Sequence, residues 1–300
     1  MLIVMTGGSR GIGAEALRHL KALPTARILL GVRSAAPAGT SGLPLDLANL
    51  ASVRRFADAV IAELDGAGID AIVLNAGGQR PSVAERSADG HELTFAANHL
   101  GHFLLLQCLW PHLANGARVV ITSSGTHDPE ERTGVPPPRH ADAAWLADPA
   151  QDPGVDGNPI TAGMRAYSAS KLCNLMTARV AAAHAAGDRR GISVVAYDPG
   201  LTPGTGLVRQ QMWPVRALLW PLLPLLMPFG KTMNSLANSG RHLALLASEL
   251  RPPAGRVYAS LRKGRLTWPE PSLLARDDTA TAALWRDSLA LCGLPTHAPG

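Results

Sequence analysis

Short apolar runs alternate with longer amphipathic stretches along most of the chain, and this rhythm predicts the fold. Residues 2–6 form a buried-strand run, followed by a glycine-rich turn and a helix over about 11–23. Further strand runs lie at 27–33 and 43–46, then an amphipathic helix at 51–64 and a fourth apolar run at 69–74. A long apolar helix over 95–113 precedes a strong strand at 118–122, and a helix at 164–186 precedes a strand at 192–197. A helix at 236–250, a strand at 256–260 and a helix at 279–291 complete the pattern. Strands alternating with helices at this spacing imply an α/β fold. Its sheet is parallel and doubly wound, with about seven strands and helices on both faces.

Two stretches break the rhythm. Residues 127–163 are rich in Pro, Asp, Ala and Gly and are too long for an ordinary connection. Residues 213–229 are highly apolar but interrupted by Pro214, Pro221, Pro224 and Pro228. With Arg216 inside it and a marginal length, this segment is a poor candidate for a membrane-spanning helix. A substrate lid, helices packed on the core or on a second subunit, and peripheral membrane contact all stay open. No repeat and no linker divides the chain. One domain is therefore expected over 1–300, with an insert at about 127–163 and a lid at about 203–231.

Composition adds limits rather than chemistry. With 46% apolar residues, 300 residues can bury a large core. The net charge of +5 is modest and scattered. The one dense basic stretch, 256–265, reads as a solvated strand and turn rather than a nucleic-acid patch. Cys108, Cys173 and Cys292 are spaced for neither zinc nor disulfides, and a strand run beginning at Leu2 leaves no leader segment. Reduced thiols in a cytoplasmic protein are expected. The insert's acids (Asp128, Glu130, Glu131, Asp142, Asp148, Asp152 and Asp156) match no calcium loop and read as solvated. His99 and His102 have no third ligand near in sequence and read as packing, so no metal is expected.

The candidate chemistry begins at the first turn. Thr6-Gly7-Gly8-Ser9-Arg10-Gly11-Ile12-Gly13 lies between a strand and a helix, where glycines let the backbone approach a pyrophosphate at a helix N-terminus. No acid occurs between Arg27 and Leu45, where a site preferring an unphosphorylated ribose carries one. Arg33, helped by Arg10, suits a 2′-phosphate instead, which points to NADP(H). Asp46, before Leu47, is either an acceptor for the adenine amino group or a helix N-cap. Asn75-Ala76-Gly77-Gly78 closes the fourth strand, with small residues where a ribose would pass.

Further along, Tyr167-Ser168-Ala169-Ser170-Lys171 sets a phenol and an ammonium at i and i+4 on one helix face. A cation nearby favours the phenolate and is expected to lower the phenol's pKa from ~10, making Tyr167 a workable acid or base. Ser124 follows the strand at 118–122 and offers a hydroxyl to a developing charge, with Ser123 as the neighbour easily confused with it. Asn98 sits in an apolar helix and needs a partner: a water leading to Lys171, or local backbone.

Taken in order, TGxxxGIG, NAG, NHxGHF, SS and YxxxK resemble the short-chain dehydrogenase/reductase family over nearly the whole chain. The resemblance implies a Rossmann-type fold and a tetrad of Asn98, Ser124, Tyr167 and Lys171. In it Tyr167 donates the proton, Ser124 orients the reacting oxygen, Lys171 tunes the tyrosine and binds ribose, and Asn98 holds a relay water. Asp198-Pro199-Gly200-Leu201-Thr202 resembles the family's turn beside the nicotinamide, with Thr202 as its polar contact. NHLGHF and Arg33 resemble the retinol-dehydrogenase-like branch. Lys171-Leu172-Cys173-Asn174, Thr205-Gly206-Leu207 and the long insert resemble the protochlorophyllide-reductase-like branch. Residues 34–42 are too short for the family's usual helix between strands two and three, so a loop is expected there. The implied activity is NADPH-dependent reduction of a carbonyl, or the reverse, on a bulky hydrophobic small molecule. Carbon–carbon double-bond reduction and a non-catalytic NADP(H) sensor are the alternatives, and subunit number is left open.

Overall fold

The computed structural model describes residues 1–203 and 233–296 of the 300-residue chain. Its strands are β1 (Leu2–Thr6), β2 (Arg27–Val32), β3 (Ser41–Pro44), β4 (Ile69–Leu74), β5 (Leu113–Thr122), β6 (Ser193–Asp198), β7 (Tyr258–Arg262) and β8 (Arg265–Thr267). Its helices are α1 (Gly11–Lys21), α2 (Leu50–Ala62), α3 (Leu93–Phe95), α4 (Gly101–Leu109), α5 (Ala143–Ala147), α6 (Pro159–Gly187), α7 (Leu236–Ser248) and α8 (Asp278–Leu291). The strands form one sheet in the order β3-β2-β1-β4-β5-β6-β7-β8, parallel except for the β7–β8 pair. Eight strands replace the expected seven because β8, with only Arg265, Leu266 and Thr267, is too short to show a period.

The apolar runs are continuous because the sheet is covered on both faces. In β1, Leu2 and Val4 enter a core with Phe56, Phe103 and Leu104, while Ile3 and Met5 enter a second with Leu17, Leu20 and Leu243. Helices α2, α4, α6 and α8 supply the first face, and α1 and α7 the second. Each fully buried aliphatic side chain contributes about 1.5–3 kcal/mol, so this central strand holds both layers together.

Register then places the functional edge. Thr6, at the end of β1, pairs with Gly31 on one side and Leu74 on the other. The chain runs outward from β1 to β2 and β3, then crosses back to β4, so a switch point opens beside Thr6 at the carboxyl ends of the strands. Thr122 pairs with Tyr197 and Asp198 with Ser260, which brings β5, β6 and β7 to the same edge.

Three local departures matter for the site. The expected helix over 95–113 is interrupted by one π turn at Ala96–Leu100, in which Gly101 N donates to Ala96 O. That wide turn carries Asn98. Helix α6 begins at Pro159, well before Met164, because Asn158 Oδ1 accepts from Ile160 N and Thr161 N with proline at the first helical position. The insert's acids are not simply solvated. Asp152 pairs with Arg139 (3.0 Å), Asp156 with Arg165 (2.7 Å), and Asp128 and Asp142 cap short turns. The stretch between β2 and β3 is a loop, as expected. The proposed lid, the apolar run 213–229 and the Thr205-Gly206-Leu207 motif lie outside the described residues, save that Pro203, at the lid's edge, is described. No helix among the described residues is long and apolar enough to cross a membrane, and none of their His, Cys, Asp and Glu side chains form a metal-holding group.

Candidate active site

One cleft of ≈ 580 Å³ runs along the carboxyl edge of the sheet, and every candidate residue from the sequence lines it. At the β1 end these are Gly7, Ser9, Arg10, Gly11, Ile12 and Gly13, with Arg33, Asp46 and Leu47 from the β2 and β3 ends. Asn75, Ala76 and Gly77 follow β4, while Asn98, Ser124, Tyr167, Lys171, Pro199, Gly200 and Thr202 line the far end.

The β1 turn is shaped by the lack of side chains. A Cβ on Gly13 would stand 1.9 Å from Gly7 O, and one on Gly7, whose φ is +72°, would stand 2.6 Å from Ala76 Cα. Helix α1 starts with neither a side-chain cap nor an acid in its first turn, so its leading N–H groups face the cleft unopposed. That end fits an anion such as a pyrophosphate. Arg10 and Arg33 are both exposed on this side. Asp46 does not cap α2, since Asn49 does so by accepting from Ser52 N (2.9 Å). Asp46 Oδ1 instead accepts from Ala48 N (3.0 Å), which bends the chain and leaves the carboxylate exposed at the cleft.

Behind the turn, Thr6 is a hub. Its Oγ1 accepts from Asn75 N (3.0 Å) and Ala76 N (3.1 Å), so its O–H is left for His102 Nε2 at 2.9 Å. His102 therefore donates from Nδ1 to Asn98 O (3.1 Å). Burial keeps this imidazole neutral, with its pKa down to about 3, and lowers that of His99 to about 4. His99 packs against Phe95 and contacts Ser288 Oγ, so both histidines serve packing. Asn75 Nδ2 donates to Gly7 O (3.1 Å), tying the β4 turn to the glycine turn.

At the far end the structure separates the two serines. Ser123 is buried and its Oγ donates to Lys171 O (2.8 Å), a structural bond. Ser124 lines the cleft with Tyr167, and its hydroxyl acts on the phenol to lower its pKa. Asn98 spends its side chain on backbone and a serine. Its Oδ1 accepts from Gly78 N (2.9 Å), and its Nδ2 donates to Gly78 O (2.8 Å) and Ser170 Oγ (3.0 Å). That amide meets backbone, but the backbone is that of Gly78, twenty positions away, rather than the local one expected. Asn98 and Lys171 still converge: a Cβ on Gly77 would stand 3.2 Å from Asn98 Oδ1 and 3.3 Å from Lys171 Nζ.

The electrostatics correct one expectation. Tyr167 is buried and its pKa is pushed up to about 12, first by burial, with the Ser124 hydroxyl pulling it down and the charge of Asp198 adding to the rise. Lys171 Nζ, 5.7 Å from the ring centroid and donating to Thr122 O (3.1 Å), does not make this phenol acidic. Burial instead lowers Lys171 itself to about 8. The phenol thus holds its proton at neutral pH, and the amine titrates closer to neutrality than an ordinary lysine. Thr202, taken as a polar cofactor contact, turns its Oγ1 toward Ser239 Oγ (2.8 Å) although the residue lines the cleft.

Sequence reasoning missed Asp198, Arg262 and Glu131 as cleft residues. Arg262 belongs to the stretch expected to be solvated, yet it ion-pairs with Asp198 (2.9 Å) and Glu131 (2.7 Å). An acid directly before the Pro199-Gly200 turn was the available signal.

A doubly wound sheet with this glycine-lined cleft at its switch point defines a Rossmann-type, dinucleotide-accommodating protein. The family profile described as short chain dehydrogenase matches residues 1–134. Protochlorophyllide reductase A of Triticum aestivum is 30% identical, covering 98% of this chain and 80% of that protein. The Chlamydomonas reinhardtii protochlorophyllide reductase is 32% identical over 97% of this chain and 77% of its own length. Among solved structures, an uncharacterized protein from Mycobacterium Paratuberculosis superposes with a TM-score of 0.69 at 27% identity, covering 99% of this chain and 94% of that one. The NADPH-bound carbonyl reductase from chicken fatty liver has a TM-score of 0.53 at 18% identity, covering 83% and 91%, and shares the fold. The chain belongs to the short-chain dehydrogenase/reductase family of oxidoreductases, in its protochlorophyllide-reductase-like branch.

Proposed function

We propose that the protein is an NADPH-dependent oxidoreductase that reduces a carbonyl of a bulky hydrophobic small molecule, or oxidises the corresponding alcohol. The observation that carries this reading is that the hydroxyl residues Ser124 and Tyr167 line one cleft together with Lys171. Two O–H groups at one cleft suit a reacting oxygen that gains negative charge and accepts hydrogen bonds; hydride addition to an alkene puts that charge on carbon, a poor acceptor. Leu93, Ala97, Val135 and Leu201 give the cleft apolar lining for the rest of the substrate.

The cofactor, when bound, supplies the hydride. Gly7, Gly11 and Gly13 with the start of α1 would hold its pyrophosphate, and Arg33 with Arg10 its 2′-phosphate. Tyr167 holds the proton that the substrate oxygen receives, and Ser124 donates to that same oxygen and orients it. Lys171, at about 8, exchanges a proton with solvent and restores the phenol, while Asn98 fixes the backbone beside it.

The names of the full-length relatives favour a second reading, reduction of a carbon–carbon double bond. A panel of hydrophobic ketones, aldehydes and quinones, assayed for NADPH consumption in the dark, separates the two. Dark turnover of a ketone, lost in Tyr167→Phe, supports the first reading. Activity on a tetrapyrrole only under illumination selects the second, and tight NADPH binding with no turnover at all selects a sensor.

A further inference from the structure

At the far end of the cleft a carboxylate is buried where the proposed chemistry gives it no task. Asp198 is 1% exposed at the end of β6. Its Oδ2 accepts from Arg262 Nη1 (2.9 Å), Ser260 Oγ (2.8 Å) and Tyr258 Oη (3.1 Å), and its Oδ1 accepts from Gly200 N (2.9 Å). Four donors on one carboxylate hold it in one place.

These contacts reach two turns that line the cleft beside Tyr167. Gly200 N lies in the turn after β6 that lines the cleft. The position of a Cβ on Gly125 is 3.3 Å from Asp198 Oδ2, so the turn carrying Ser124 rests on the carboxylate. His127, in the same turn, holds Ser124 O through Nδ1 (2.8 Å) and meets the Tyr258 ring edge-on at 5.1 Å. Arg262 extends the chain of contacts to Glu131 in the insert.

We propose that Asp198 and Arg262 are positioning residues for proton transfer at Tyr167, locking the Ser124 turn to the Pro199-Gly200 turn and, with Glu131, fixing one net negative charge at this end of the cleft. This deepens the proposed function and rests on it. Asp198, Glu131 and Arg262 sum to one negative charge on this side of Tyr167, facing Lys171 from its own helix; His127 is held neutral by burial. A negative neighbour disfavours the phenolate, so Asp198 adds to the rise that burial gives Tyr167, and Arg262 opposes it.

The test uses the opposite signs of the two partners. The intact chain has three tyrosines, and burial raises Tyr197 and Tyr258 well above the ordinary range, so Tyr167 ionises first. Ring-carbon NMR of isotope-labelled tyrosine, assigned with Tyr167→Phe, reads that ionisation without any turnover. In Asp198→Asn, which keeps an acceptor for Gly200 N, the onset should move about one pH unit lower. Arg262→Met should move it higher, Arg262→Lys should restore the wild-type curve, and Glu131→Gln should move it lower by less. Should Asp198→Asn fail to fold, Glu131→Gln carries the same sign. Ketone reduction by Asp198→Asn should show kcat down about tenfold with NADPH affinity changed less than about twofold. A Tyr167 titration identical in all variants, or displaced the same way by Asp198→Asn and Arg262→Met, overturns the proposal. Oppositely displaced titrations in a protein that turns over no carbonyl leave this inference standing and remove the proposed reaction.

Discussion

Near β1 and β2 the cleft is made of backbone and absent side chains: Gly7, Gly13, the open start of α1, and the exposed arginines Arg10 and Arg33. Near β5 and β6 it is made of buried titratable groups, Tyr167, Lys171 and Asp198, with Lys171 bonded to Thr122 O and Asp198 to four donors. The first end is drawn from short contiguous motifs, and its charged side chains are exposed. The second joins residues from β5, α6, β6 and β7, and any charge there is set by burial and by its partners. Binding and chemistry are thus assigned to different kinds of matter, and substitutions should separate them.

The largest separation is expected at Tyr167. Tyr167→Phe removes the proton donor and should lower kcat for carbonyl reduction by about 10²–10⁴ with NADPH affinity unchanged, as pre-steady-state mixing and cofactor fluorescence would report. Lys171→Met should also abolish turnover while stabilising the protein. Burial has brought this lysine from its ordinary 10.5 to about 8, which corresponds to roughly 3 kcal/mol of destabilisation at neutral pH. The unfolded chain binds the extra proton between those values, so wild-type stability rises with pH across about 8 to 10.5. Denaturation at pH 7 and pH 10 should show the variant's advantage shrinking at the higher pH, since Thr122 O keeps its bond from Asn174 Nδ2.

At the other end, Arg33→Ala should weaken NADPH binding about tenfold and NADH binding little, measured by titration calorimetry. Equal loss for both cofactors would mean that Arg33 does not recognise the 2′-phosphate. Asp46→Ala should have the smallest effect, less than about threefold on NADPH affinity, because the carboxylate is exposed and its bond to Ala48 N shapes only the local turn.

The same division explains what was legible in the sequence. The glycine turn, Arg33 and the β4 turn are contiguous motifs, and each lies in the cleft as expected. Sheet and helix order followed from apolar periodicity because a doubly covered parallel sheet writes its strands as unbroken apolar runs. The π turn carrying Asn98 was not legible, since a change from i−4 to i−5 bonding leaves composition untouched. The identity of the site serine became plain only when Ser123 was seen bonded to Lys171 O. Asp198 and Arg262 lie in different strands, and no local pattern announces an ion pair across sixty-four positions. The state of Tyr167 could not be read from a Tyr/Lys spacing, because burial outweighs the neighbouring amine.

The central claim is that Tyr167 and Ser124 serve a carbonyl oxygen while the cofactor end only binds. Its most direct test is a single turnover with deuterium-labelled NADPH and a hydrophobic ketone, followed by mass and NMR analysis of the product. One deuterium on the former carbonyl carbon, formed in the dark, with formation slowed at least about a hundredfold by Tyr167→Phe, is the predicted result. Deuterium delivered to an alkene carbon, or product formed equally fast without the phenol, would contradict it.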